Sequence, residues 1–366
     1  LFLSADVVGS TAFKQQNEGG EQASRPVDQT WLHVALAFYQ NIEQRFRENW
    51  LEYTDSHPHA GRCLPLAAGE PPELWKTVGD EVLFTKLIEQ PQQVIFCLHA
   101  WAATILEIQA EMRSKHQLDL KSCAWLTDFP IRNVEIALRH GVHESALAPA
   151  EDDYFVNNQI ALEDYYRNRA AGRFLRDFIG PSIDTGFRLS SFASSRKLIL
   201  SVELAYLLST EQARSRADAS LYASGPWITE PFVFKYDGRQ VLKGVLGGNP
   251  YPVIWLDLAH DRPLFKAEDQ VLNTPLPKPE QIRALAEAYI EAQAPLLAFP
   301  YMPGTVPDYD RLSEADREKL ARLALRMQEW ETARQSVGLA LEVLPGEAVA
   351  RPEAMVVQEL QLDLKR

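Results

Sequence analysis

The stretch ELWKTVGDEVLFTKL, residues 73–87, limits what this 366-residue chain can fold into more than any other. Two short β-forming runs meet at Gly79-Asp80, a hairpin-type turn, so the runs pair antiparallel and the turn stands at the end of a sheet. Asp80 on that turn can project its carboxylate beyond the sheet edge, with Lys76 four residues before it. The chain opens on a related pattern, LFLSADVVGSTAFK. Leu1, Phe2 and Leu3 read as the end of a buried strand that stops at Asp6. Gly9, Ser10 and Thr11 then leave backbone N–H groups open at the mouth of the next element. A carboxylate beside a bare turn suits a divalent cation held together with a polyphosphate. The plainer alternative is an Asp capping a helix ahead of Phe13.

Between these segments, Thr30 to Trp50 has a helical apolar period through Leu32, Ala35, Leu36, Tyr39, Ile42 and Phe46, and residues 54–72 read as a loop. Gln92 to Met112 reads as a second helix, followed by a polar insertion. VEIALRHGV then alternates Val134, Ile136, Leu138, His140 and Val142 as a half-buried strand. Residues 151–176 look like an insertion, and Pro181 suits a helix start near Ser182. KLILSVE reads as a strand or a strand-to-helix transition; FVFKY, DGR and QVLKGVL read as a hairpin, and VIWLDL as a further strand. The order β-α-β-β-α-β predicts an α+β, ferredoxin-like sandwich with helices on one face, over residues 1–258. Residues 259–366 read as a C-terminal extension. Pro295, Pro300, Pro303 and Pro307 punctuate a linker, and Ser313 precedes a helix running to about Leu344, with Asp316 placed for a variant of the capping box.

Formal net charge is -13, which disfavours nucleic acid and anionic membrane as partners but not a nucleoside triphosphate accompanied by metal. Cys63, Cys97 and Cys123 form no C-x-x-C pair and point to a reducing cytoplasm. The most apolar helical window carries His99, Glu107 and Glu111, so it reads as an amphipathic helix and not a membrane span, and no signal peptide is visible. His57, His59, His140 and His143 lack the partners that a zinc site needs and read as loop and strand histidines.

In a β-α-β-β topology the first strand can lie beside the hairpin, so that Asp6 and Asp80 converge. Two carboxylates on a pair of cations are what phosphoryl transfer uses to stabilise attacking and leaving oxygens. On these residues the chain resembles the class III nucleotidyl cyclases. SADVVGST looks like that family's first metal motif and KTVGDEV like its second. DFIGPSIDTGFRL presents Asp177, Gly180, Asp184 and Arg188 at the spacings of the family's base-reading and transition-state stretch, and VLKGVL resembles the strand whose Lys contacts the triphosphate, here Lys243. The resemblance covers residues 1 to about 258. It implies two Mn²⁺ or Mg²⁺ ions per site on Asp6, Asp80 and the Val7 carbonyl, with backbone from Val8 through Gly9 and Ser10 to Thr11 holding the β- and γ-phosphates. Arg188 would stabilise the α-phosphoryl group as the ribose 3′-hydroxyl attacks, and Lys243 the leaving pyrophosphate. It also implies a homodimer with two shared sites, each taking its metal ligands from one subunit and its base and transition-state residues from the other. One departure stands out: the family's usual Asn is Asp184 here, an acid that repels an α-phosphate unless it meets ribose or metal.

Lys76 and Asp177 stand where the family reads the base. A Lys donor beside an Asp acceptor complements adenine, cytosine or uracil, and does not by itself exclude guanine. The run from Asp177 to Arg188 and the long C-terminal extension resemble the pyrimidine cyclases of bacterial antiphage defence, the Pycsar systems. That resemblance implies UTP as substrate and cyclic UMP as product, with cytidylate or adenylate cyclase as alternatives. A degenerate cyclase-fold sensor that binds nucleotide without turnover, and a scaffold recruiting a partner through its C-terminal helix, are the non-enzyme alternatives.

Overall fold

The computed structural model describes residues 1–18, 30–55, 68–139, 154–169, 174–217, 231–273 and 276–336. In chain order the elements are β1 (Phe2–Val8), α1 (Ser10–Glu18), α2 (Thr30–Asp55), β2 (Glu73–Val78), β3 (Glu81–Thr85), α3 (Gln93–His116) and β4 (Asp119–Trp125). Then come β5 (Val134–Arg139), α4 (Tyr154–Arg167), β6 (Phe174–Ile179), α5 (Pro181–Leu189), β7 (Lys197–Leu200) and α6 (Val202–Ala217). The last are β8 (Phe234–Gln240), β9 (Tyr251–Asp257), α7 (Pro263–Val271), α8 (Pro279–Ala292) and α9 (Glu314–Ser336). They form two compact units, Leu1–Leu126 with Thr185–Thr305, and Thr127–Asp184 with Val306–Arg366. These units run along different lines from a division at residue 258.

The first unit is built on a seven-stranded sheet in the order β2-β3-β1-β4-β7-β9-β8. Its first four strands have βαββαβ connectivity with β1 antiparallel to both β3 and β4, which is the ferredoxin-like arrangement. The fold is therefore α+β, as the pattern predicts, but the fourth strand is not VEIALRHGV. It is DLKSCAW, residues 119–125, paired along its length with β1 and in parallel with β7. Ser122, Cys123, Ala124 and Trp125 are all buried, so this central strand lacks the alternation that betrays a half-exposed one. VLKGVL is also not a strand: β8 ends at Gln240, and Lys243 lies in an exposed turn before β9. Helix α3 is long and apolar enough to cross a membrane by length and composition, yet 78% of that window is buried inside the fold. Its Trp101 packs against Phe46 of α2 and Phe84 of β3, with ring centroids 4.8 and 5.5 Å away. Each such fully buried ring contributes roughly 2–3 kcal/mol.

In the second unit β5 and β6 form a two-stranded antiparallel ribbon. Ala137 and Phe174 pack with Leu162 and Tyr166 of α4, inside the segment that reads from sequence as an insertion. The buried Glu135 carboxylate accepts from the Tyr166 hydroxyl at 2.5 Å and from Arg176, so the polar group is satisfied where water is excluded. Burial and the Glu135 charge push the Tyr166 hydroxyl well above its ordinary pKa. On the other side, Leu138 pairs with Leu175, and both are about half exposed, as is Ile179. Asp177 shares that side by strand parity. Ser313 does cap α9: its hydroxyl accepts from the Asp316 N–H at 3.1 Å, and Asp316 in turn holds Arg132 at 2.7 Å. Helix α8, with buried Ile282, Ala286, Tyr289 and Ile290, occupies part of the stretch that reads as extension and linker. His57, His59, Cys63, His140 and His143 lie outside the described residues, as does the chain beyond 336.

Candidate functional site

The end of β1 and the β2–β3 turn lie side by side. Asp6 is in register with Glu81, and the Val7 N–H donates to the Asp80 carbonyl at 3.4 Å. Asp6, two residues before the end of β1, and Asp80, in the β2–β3 turn, thus stand on neighbouring segments of backbone, and β1 runs past Asp6 instead of stopping there. Two left-handed glycines make the corner: Gly79, with φ 65°, turns the hairpin, and Gly9, with φ 85°, turns β1 into α1. The Tyr39 hydroxyl on α2 donates to the Gly79 carbonyl, and the Ser10 hydroxyl at the start of α1 donates to Asp80. Phe13 makes the first α-helical bond back to the Gly9 carbonyl at 3.0 Å. The N–H groups of Ser10, Thr11 and Ala12 therefore have no partner in the helix ladder and form an anion-attracting mouth beside the two carboxylates.

Both carboxylates are partly exposed and each is paired with an ammonium. Lys121 of β4 stands opposite Asp6 in register, with its Nζ 2.8 Å from Asp6 Oδ2. Lys14 of α1 lies 3.7 Å from Asp80 Oδ1. Glu81 is a third carboxyl at this corner. Burial raises its pKa; the Asp6 and Asp80 charges add to that, while a Ser4 hydrogen bond and Lys121 oppose it. Glu81 and Lys121 meet Asp6 through cross-strand register, and Lys14 meets Asp80 through the placement of α1 beside the hairpin turn; neither is legible in one chain.

Among the described residues no group of three or more His, Cys, Asp or Glu side chains is arranged to cage a metal. What is present is a pair of carboxylates with the Val7 carbonyl on the same strand end, an all-oxygen set. Mg²⁺ and Mn²⁺ are held this way when substrate phosphates complete the shell. The two ammonium groups already resting on these carboxylates show that the corner accepts positive charge. The residues fit divalent ions shared with a polyphosphate.

The other sequence-predicted residues are spread over the chain. Lys76 sits at a bulge in β2, with its Nζ 4.1 Å from the centre of the Trp75 ring. Trp75 continues into a cluster with Phe2, Trp125 and Phe187. Lys243 follows β8, which is the sheet edge opposite β2. Asp184 and Arg188 are exposed, four residues apart on α5 and so on one side of it. An acid in the first turn and a base in the last also suit the helix dipole, by about 0.3–1 kcal/mol each. Asp177 belongs to the second unit, where its Oδ1 accepts from the Phe178 N–H at 2.9 Å. In that unit the buried Asn133 holds the entry to α5: its Oδ1 accepts from the Ser182 N–H at 3.0 Å. Gly180 has φ 144° there, and a Cβ on it would meet Asn133 Oδ1 at 2.4 Å, so only glycine passes.

No protein-family profile and no curated protein matches the chain. Solved structures do. The adenylyl cyclase CyaB from P. aeruginosa is 13% identical with a TM-score of 0.37, covering 70% of this chain and 91% of its own. The guanylyl cyclase Cya2 gives 12% and 0.32, covering 70% and 89%. The guanylate cyclase domain of RhGC from Catenaria anguillulae, solved in complex with GTP, gives 13% and 0.31, covering 70% and 93%.

Proposed function

We propose that the chain is a metal-dependent nucleotidyl cyclase that converts UTP to 3′,5′-cyclic UMP and pyrophosphate, as a signal in antiphage defence. The observation that carries the reading is the corner itself, where Asp6 near the end of β1 and Asp80 in the β2–β3 turn stand side by side next to the open first turn of α1. Divalent ions bound there supply charge neutralisation for the attacking and leaving oxygens. Gly9, Ser10 and Thr11 offer backbone donors to the β- and γ-phosphates. The ribose 3′-oxygen attacks the α-phosphorus and loses its proton as the bond to pyrophosphate breaks. Arg188 takes up charge on the α-phosphoryl oxygens and Lys243 on the leaving pyrophosphate. Lys76 and Asp177 pair with uracil O4 and N3–H.

Incubating the protein with each of the four nucleoside triphosphates and Mn²⁺, then identifying products by mass, tests this directly. UTP is expected to be converted best. A site built to pair with such groups leaves buried polar atoms unmatched on the wrong base. Efficient conversion of ATP with little from UTP or CTP overturns the pyrimidine assignment; a cyclic CMP product makes the chain a cytidylate cyclase. Asp184 in the family's Asn position favours a second reading, a nucleotide sensor, and tight binding with no product from any of the four establishes it.

The working form is a two-fold homodimer with two sites, each using Asp6 and Asp80 of one chain with Lys76, Asp177, Asp184, Arg188 and Lys243 of the other. The β5–β6 ribbon supports this reading, because Asp177 shares its side with the half-exposed Leu138, Leu175 and Ile179, a surface suited to a second copy. Mixing Asp6→Ala with Arg188→Ala protein puts both lesions in one site of a mixed dimer and leaves the other intact. With free subunit exchange, activity returns toward about a quarter of wild type, since half the dimers are mixed and each has one working site. Mixed dimers that form without recovery place the site within a single chain.

A further inference from the structure

The two carboxylates proposed to hold metal are not left bare; each already faces a lysine of its own chain. The closer pair is fixed by the sheet. Asp6 and Lys121 are cross-strand neighbours on β1 and β4, and the ammonium rests 2.8 Å from Asp6 Oδ2. Neither side chain is sealed in, at 26% and 29% exposure, so the lysine can swing into water without breaking the ladder. A divalent cation cannot take Asp6 Oδ2 while an ammonium occupies it, since like charges at that separation repel strongly. Lys14 at 3.7 Å from Asp80 makes a second, looser pair of the same kind.

We propose that Lys121 is the counter-ion that a divalent metal must displace from Asp6, so that metal binding is an exchange of cations whose affinity Lys121 sets. This deepens the metal-site reading above and rests on it. With no metal bound, the lysine holds the Asp6 carboxylate in place at the strand end and offsets repulsion from Asp80 and Glu81. When metal arrives, the ammonium moves off and the carboxylate changes partner. Lys121 is thus a positioning residue that acts through Asp6.

The test is Mn²⁺ binding to the full chain without nucleotide, read as loss of the free-ion electron paramagnetic resonance signal. Lys121→Met is expected to bind Mn²⁺ about fivefold more tightly than wild type, in line with one partly exposed ion pair removed from the competition. Lys121→Arg retains the charge and should bind as wild type does. Lys197→Met removes a comparably exposed lysine, 2.5 Å from Asp237, and should change nothing. Thermal melts in EDTA and in Mn²⁺ give an independent readout: Lys121→Met should melt lower than wild type in EDTA and gain more from Mn²⁺. Lys121→Gln serves if the methionine variant does not fold. Equal or weaker Mn²⁺ binding by the neutral variants, with binding lost in Asp6→Asn, overturns the exchange and leaves the metal site standing. Wild-type Mn²⁺ binding in both Asp6→Asn and Asp80→Asn removes the metal site itself, and the exchange with it.

Discussion

Alanine at Asp6 or Asp80 is expected to lower the rate of cyclic nucleotide formation about a hundredfold or more, because lost stabilisation of a developing oxyanion typically costs that much. The fold should survive both changes. Asp6 near the end of β1 and Asp80 in the β2–β3 turn are 26% and 30% exposed, and each lysine pair contributes on the order of 0–1 kcal/mol. For a chain of this size, that is a shift in melting temperature of only a few degrees. The comparison is therefore clean: product formation measured beside a melting curve. A variant that keeps more than about a tenth of the wild-type rate would mean that these carboxylates do not hold the catalytic ions.

Gly186→Ala should be nearly as damaging, for a steric reason. In an open helix this change gains close to 1 kcal/mol from propensity alone. Here the new Cβ would lie 2.2–2.6 Å from the indole carbons of Trp125, which is fully buried. Overpacking of that kind typically costs about 1–3 kcal/mol, so the clash outweighs the propensity gain. The neighbouring strand also meets this point, since the Cys123 thiol donates to the Gly186 carbonyl at 3.7 Å. The helix must lift, carrying Arg188 with it, and a displacement of about 1 Å at a catalytic group can cost on the order of a hundredfold in rate. Melting temperature and turnover should fall together, and Trp125→Phe in the same chain should restore part of both. A Gly186→Ala protein as stable as wild type would show that α5 is not seated on Trp125.

What one chain discloses about itself here follows from local chemistry. The Gly79-Asp80 turn, the Pro181 helix start and the Ser313 cap were legible because each is set by residues adjacent in sequence, whereas β1 does not stop at Asp6 but runs on to Val8 because its ladder with β4 continues to Asp119. VEIALR does form a strand that alternates, but its buried face carries Glu135 and Ala137 while Leu138 is exposed, the reverse of the apolar face that the sequence marks. A ribbon strand and a sheet strand also look alike in sequence. β4 was missed for the opposite reason: Ser122, Cys123, Ala124 and Trp125 are covered on both sides and show no period. Lys243 was placed on a strand by the apolar residues around it, yet Leu242 and Val245 are buried from a turn. The pairs around the candidate site, Lys121 with Asp6 and Ser10 with Asp80, join residues 70 or more positions apart, where no local pattern reaches.

The order of strands in the large sheet also bears on how the chain is made. β4 pairs with β7, and between Trp125 and Lys197 the ribosome must deliver roughly seventy residues, several seconds of synthesis at ordinary rates. During that interval the first four strands can assemble, but β4 presents a row of unmatched backbone groups. Open strand edges of this kind template pairing with other chains. β7 closes that edge only once those residues have followed, and β9 then pairs on the far side of β7. The nascent protein thus passes through a sticky stage midway in its birth, and its yield in a cell should depend on chaperones that engage the growing chain.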